Sequence, residues 1–124
     1  MGVTTQTIEN VLIIQVTGRI DHITANVFEQ ELLPHLKDCT GEEKKAVLDL
    51  SRVTYMSSAG LRVLLLAAKQ CRKQQGELVV AALQPFLQEV FRISRFHVVL
   101  TIFDTVKAAL DAISPAAAAV YDGS

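Results

Sequence analysis

The sequence predicts an α/β fold: a mixed, mainly parallel β-sheet with an antiparallel N-terminal edge hairpin and about four helices packed against it. Three observations lead there. Short runs rich in β-branched residues alternate along the chain with longer segments whose apolar residues recur at helical spacing. The first two strand-like runs are separated by Glu9 and Asn10, which supply turn chemistry for a hairpin. Each later strand is separated from the next by a helix, and such crossovers join strands that pair in parallel.

The elements follow in order. VTTQTI, Val3 to Ile8, is polar enough for an edge strand, and VLIIQVT, Val11 to Thr17, alternates as a strand with one well-buried face requires. Gly18 is expected to break it. From about Thr24, Phe28, Leu32 and Leu36 recur every four residues with Ala25 one turn before, a helical stripe that Pro34 should bend or end near Leu33. Lys37 to Lys45 reads as a charged turn, and Ala46 to Leu50 as a strand covered on both faces. Ser58 to Gln74 reads as a helix with Leu61, Leu64, Leu65, Ala68 and Cys71 inward, stopped by Gly76. Glu77 to Leu83 is a further buried strand. Pro85 opens a helix through about Ile93 with Phe86, Val90 and Ile93 on its inward face. His97 to Phe103 reads as the last strand, and Asp104 as the cap of a helix from Thr105 to Ile113 with Val106, Ala109, Leu110 and Ile113 inward.

A chain of 124 residues holds one core, here placed in a single domain over residues 1–113; the tail 114–124 either extends the last helix or frays. With 50% hydrophobic and 20% charged residues the chain is a globular protein. A formal net charge of -1 gives no field to draw it to nucleic acid or anionic membranes, so protein partners are expected and direct nucleic-acid binding is not. The longest apolar run, Val63 to Ala68, is far short of the roughly 20 residues that span a bilayer, and the N-terminus has no basic-then-apolar signal. A cytoplasmic location is expected. Cys39 and Cys71 are far apart and read as reduced thiols outside any metal or redox motif; His22, His35 and His97 are scattered. No metal and no cofactor is implied.

The most informative segment is VLDLSRVTYMSSAGLRVLLLAAK, where a buried strand ending at Leu50 leads through a short loop to Ser57 and Ser58 at the start of an apolar helix. Free backbone N–H groups and the positive end of the helix dipole favour a serine cap there, and equally a phosphate. Spacing alone makes one serine a helix cap. Asp21 fits the N-cap of the first helix. Gly60 permits close approach of a partner or of a neighbouring strand, while Met56 and Arg62 fit either an interface or, respectively, the core and a solvated surface.

GRIDHITA (Gly18 to Ala25), LDLS (Leu48 to Ser51), YMSSAGLRVLL (Tyr55 to Leu65) and GELVVAAL (Gly76 to Leu83) together resemble the anti-sigma-factor antagonist branch of the STAS family, from roughly Val11 to Ile113. The resemblance implies that Ser58, with Ser57 as the alternative, accepts a phosphate. It departs from the family pattern at Ser57, where an acidic residue commonly stands. It also implies a partner surface of Asp21, His22, Thr24, Met56, Ser57, Ser58, Ala59, Gly60 and Arg62, no catalytic residues, and a non-enzymatic role. The implied partners are an anti-sigma factor that is a serine-protein kinase of the histidine-kinase-like ATPase type, and a serine phosphatase. The unphosphorylated protein would bind the kinase and release a sigma factor. Dimerisation is left open, a homodimer being compatible with the family. The alternative role is a STAS-fold adaptor in another signalling, stress-sensing or lipid-transport assembly. An enzyme with Ser58 as nucleophile, His22 as base and Asp21 as orienter would need a hydrogen-bonded triad, and no Gly-x-Ser-x-Gly elbow is present.

Overall fold

The computed structural model describes residues 1–41 and 44–121. β1 (Gly2–Ile8) turns back at Glu9 and Asn10 into β2 (Val11–Ile20), antiparallel, with Ile8 opposite Val11 and Gly2 opposite Thr17. There follow α1 (Ala25–Leu32), β3 (Lys45–Met56), α2 (Ser58–Lys73), β4 (Leu78–Ala81), α3 (Pro85–Ile93), β5 (Thr101–Phe103), α4 (Val106–Ile113) and α5 (Pro115–Val120). β2 through β5 pair in parallel, and the spatial order β1-β2-β3-β4-β5 repeats the chain order. The mixed, mainly parallel sheet with an antiparallel edge hairpin is therefore as expected, with five α-helices among the described residues.

Both faces of the sheet are covered, because successive strand residues point to opposite sides. Ile14, Val16, Leu48, Leu50 and Val80 meet Phe28 and Leu32 of α1, Val63 and Leu64 of α2, and Leu87 and Phe91 of α3. Val11, Ile13, Val47 and Val79 meet Val106, Ala109 and Leu110 of α4 and Ala117 of α5. β2 thus has two buried faces where one was expected. The tail contributes to the second layer: Ser114 caps α5 by accepting from the Ala117 N–H at 3.3 Å, and Ala117 and Ala118 are buried. Residues 122–124 of the tail, and Glu42 and Glu43 of the expected charged turn, lie outside the described residues.

Several boundaries differ from expectation for identifiable reasons. Gly18 does not end β2. At φ +91° it sits beside register shifts against β3, so the glycine supplies a bulge and the strand runs on to Ile20. β3 likewise passes Leu50, pairing Arg52 with Thr17, Tyr55 with Arg19 and Met56 with Ile20. The expected loop is strand. α1 ends at Leu32 and Pro34 opens a 3-10 turn, Leu33–Leu36, which keeps Leu36 buried on the same stripe. In α2 the inward stripe centres on Val63, Leu64, Ala67 and Cys71, with Leu61 and Leu65 at its margins.

Gln75, at φ +59°, takes the left-handed position after α2. Gly76 is needed instead for close approach, since a Cβ there would lie 2.0 Å from the Cys39 carbonyl oxygen. The inward face of α3 is Leu87 and Phe91; Phe86 and Ile93 are exposed, because this short helix carries apolar residues on two faces and only one meets the sheet. In place of a strand from His97 to Phe103, a 3-10 turn, Phe96–Val98, precedes a three-residue β5. Thr105, not Asp104, caps α4, its hydroxyl accepting from the Ala108 N–H at 3.0 Å.

Candidate functional site

The carboxyl ends of β2 and β3 lie side by side, and the chain leaves each of them into a helix. The Ser57 N–H donates to the Ile20 carbonyl at 2.8 Å, which extends the ladder and fixes the entry to α2 against the entry to α1. Gly60 closes the junction. A Cβ there would meet Met56 Cγ at 2.7 Å and Ile20 Cγ2 at 2.8 Å, so the first turn of α2 rests directly on these two buried side chains.

Ser57 is the N-cap of α2, its backbone extended and its Oγ accepting from the Gly60 N–H at 3.4 Å. Ser58 is the first helical residue, is exposed, and its hydroxyl has no hydrogen-bond partner among the described residues. The two adjacent serines are thus unlike: one hydroxyl is engaged by the helix and the other faces solvent. The first turn of α2 carries no acidic residue, so nothing on the helix itself offsets the positive end of its dipole.

The Asp21 segment is equally fixed. Asp21 Oδ1 accepts from the backbone N–H groups of Ile23 and Thr24, both at 2.9 Å, and Thr24 Oγ1 accepts from the Asp21 N–H at 2.9 Å. This reciprocal arrangement has the logic of a capping box, with threonine in place of the longer acidic partner. The Ala25 N–H then donates to the Asp21 carbonyl, carrying the turn into α1. The N–H groups of Thr24 and Ile23 hold the Asp21 carboxyl below the usual carboxylate range. The N-cap of α1 is Thr24, without a side-chain cap bond, so Asp21 caps the turn that leads into the helix and not the helix itself, one residue after Ile20, whose carbonyl accepts from the Ser57 N–H.

His22 and Arg62 are exposed, Thr24 and Ala59 are half-buried, and Met56 is buried. Met56 accordingly supports the site from beneath instead of presenting a surface. The segment pair also gathers residues that the sequence reading left out. Arg19 lies 4.5 Å from the centroid of the Tyr55 ring, a cation–π contact set by their pairing across β2 and β3. Ile23 is 71% exposed and Val27 45% exposed. The signal was present: both are apolar yet fall off the Ala25, Phe28, Leu32 stripe, Ile23 in the turn before α1 and Val27 on its outer side. Asp21, His22 and Ser58 form no triad, for the Asp21 carboxylate is taken by backbone amides and no His22 hydrogen bond occurs among the described residues. Nor do the described residues bring three His, Cys, Asp or Glu side chains together in a way that would hold a metal ion, and no helix among them is long and apolar enough to cross a membrane.

A mixed sheet of this order, with a capping serine at the joint between strand and helix, defines a class that comparison with known proteins identifies. The family model of the STAS domain matches residues 2–109. A Bordetella bronchiseptica protein provisionally named anti-sigma factor antagonist BtrV is 40% identical over 116 residues, 94% of this chain and 97% of that protein. Among solved structures, an anti-sigma factor antagonist from Mycobacterium paratuberculosis superposes with a TM-score of 0.80 at 25% identity, over 90% of this chain and 92% of that one. SpoIIAA, solved unphosphorylated and phosphorylated, shares the fold with TM-scores of 0.71 and 0.65 at 15% identity, over 92% and 90% of this chain and 97% and 99% of those. The chain belongs to the STAS domain family, in its anti-sigma factor antagonist branch.

Proposed function

We propose that this protein is a cytoplasmic anti-sigma factor antagonist whose unphosphorylated form binds an anti-sigma factor, itself a serine-protein kinase of the histidine-kinase-like ATPase type, and whose phosphorylation at Ser58 releases that partner. A serine phosphatase restores the binding form, and transcription is regulated by this partner switching. The observation that carries the reading is the division of labour between the serines: Ser57 is spent on the helix cap, while the hydroxyl of exposed Ser58, at the first helical position, has no partner among the described residues.

The physics of the modification fits that position. A phosphate adds roughly -1.5 to -2 charges and three acceptor oxygens. At the N-terminus of α2 it meets free N–H groups and a favourable dipole, so the fold tolerates it. The partner surface does not. Asp21, His22, Thr24, Ala59 and Arg62 surround the two serines in this reading, and a docked protein would have to desolvate or face the new charge. A loss of about 3 kcal/mol lowers affinity more than a hundredfold, enough to exchange partners.

Affinity capture with wild type, Ser58→Ala and Ser58→Asp, combined with phosphosite mass spectrometry, tests this. Wild type and Ser58→Ala should retain one ATPase-type kinase that Ser58→Asp loses, and the phosphate should map to Ser58. A partner held equally by all three proteins would refute the switch.

A further inference from the structure

Two cysteines that stand far apart in the sequence meet in the fold. Cys39 lies just beyond the 3-10 turn that follows α1, Cys71 in the last turns of α2; each is 2% exposed, both belong to one buried cluster, and Cys39 Sγ packs on Gly76, whose N–H donates to the Cys71 carbonyl at 2.8 Å. The two segments are pinned together. Gln74 Nε2 donates to the carbonyls of Leu36 and Cys39 at 2.8 and 2.9 Å, and the Gly41 N–H donates to the Gln75 carbonyl at 2.9 Å. The Cys39 thiol donates to the Glu77 carbonyl at 3.3 Å, and Gly76 lets the backbones touch at Cys39. Beside the pair a surface cavity of about 370 Å³ has Cys71 and Gly76 in its wall. The neighbouring Cys71 thiol holds Cys39 below its ordinary range, and the same interaction together with burial pushes Cys71 up.

We propose that Cys39 and Cys71 form a thiol–disulfide modification site, at which a peroxide oxidant closes an intramolecular bridge between the segment after α1 and the end of α2. The Cys39 sulfur attacks a peroxide oxygen, the O–O bond breaks, and the departing oxygen takes the thiol proton and leaves as water. The Cys71 sulfur then attacks the resulting sulfenic sulfur; the S–S bond forms, the S–O bond breaks, and the second thiol proton leaves in a second water. Two thiols are oxidised by two electrons and one peroxide is reduced. In a reducing cytoplasm such a bridge is transient, as a regulatory one is. It ties together the far ends of α1 and α2, the helices whose near ends carry Asp21 and Ser58.

The test treats the reduced, full-length protein with hydrogen peroxide under native conditions, followed by intact mass, peptide mapping and thermal melting. The expected product is a monomer lighter by about 2 Da, the mass of the two hydrogens lost when one disulfide forms. Its Cys39 and Cys71 peptides should be linked, its melting temperature raised by about 10 °C, and both changes reversed by dithiothreitol. Hydrogen exchange of wild type, which depends on no variant folding, should slow at residues 37–41 and 74–77 on oxidation. Cys39→Ala and Cys71→Ala should form no such monomeric product. Linkage only in urea, intermolecular dimers alone, or oxygen addition without loss of two hydrogens would overturn the proposal.

Discussion

Replacing the two serines one at a time separates capping from phosphate acceptance. Ser57→Ala removes the oxygen that accepts from the Gly60 N–H. A typical serine N-cap is worth about 1 kcal/mol, but a 3.4 Å contact is at the long end for N–H···O, so the loss here is about 0.5 kcal/mol. With an unfolding entropy of about 0.26 kcal/mol/K for a domain of this size, the melting temperature should fall by about 2 °C. Ser58→Ala removes an exposed hydroxyl without a partner among the described residues and installs the best helix former, so its melting temperature should stay within about 1 °C of wild type. Incubated with the cognate kinase and labelled ATP, Ser57→Ala should take up phosphate and Ser58→Ala should not. Phosphate uptake by Ser58→Ala, or a larger loss of stability from Ser58→Ala than from Ser57→Ala, would refute the assignment of the two roles.

Gly76→Ala should cost about 2–3 kcal/mol in urea unfolding, because its Cβ would meet backbone atoms of Cys39 that no rotamer change can clear; an unchanged midpoint would disprove the tight packing. Asp21 makes stability pH-dependent. Its folded value lies below the unfolded one, so its contribution is present above the ordinary value of 3.8 and is lost as pH falls through the folded value. Acid titration of urea midpoints should therefore show a steeper loss below about pH 4 in wild type than in Asp21→Asn, and equal slopes would count against the capping role. On α3, Leu87→Ala should destabilise by about 2–5 kcal/mol while Ile93→Glu, at a 69% exposed position, changes stability by under about 0.5 kcal/mol. The reverse result would restore the face read from the sequence.

What the sequence made legible depended on how many independent signals a segment carried. The α1 stripe of Ala25, Phe28, Leu32 and Leu36 was readable because four residues agree on one face, and all four are buried. α3 has nine residues and two apolar faces, Leu87 with Phe91 against Phe86 with Ile93, and periodicity cannot choose between them without knowing where the sheet lies. β3 was cut short at Leu50 because Ser51, Arg52 and Thr54 look like a loop. They stay in the strand because β2, bulged at Gly18, continues alongside and supplies its backbone partners. The site was legible as a pair of segments, Asp21 to Thr24 and Tyr55 to Arg62. Which serine caps, that Met56 lies beneath, and that Arg19 stacks on Tyr55 all depend on the Ile20 to Met56 register, which is a tertiary property. The meeting of Cys39 and Cys71 is of the same kind, since no spacing encodes it.

The register of β2 against β3 also bears on how a modification at Ser58 would be read by a partner. Each approach to the serine is already committed: the Ser57 N–H to Ile20, the Ser57 hydroxyl to Gly60, the Asp21 carboxylate to Ile23 and Thr24, and the underside of Gly60 to Met56 and Ile20. A loop with spare hydrogen-bonding groups could respond to a phosphate by rearranging, and the signal would then be a change of shape. Here the backbone around the serine is bonded and packed before any phosphate arrives, and the first turn of α2 holds N–H groups suited to an anion. The proposed modification would therefore change charge and solvation at a fixed surface. Circular dichroism and amide exchange of the phosphorylated protein should differ from the unmodified form only within the first turn of α2, while partner affinity falls more than a hundredfold; ordering or melting of α1 would mean that the switch works by shape after all.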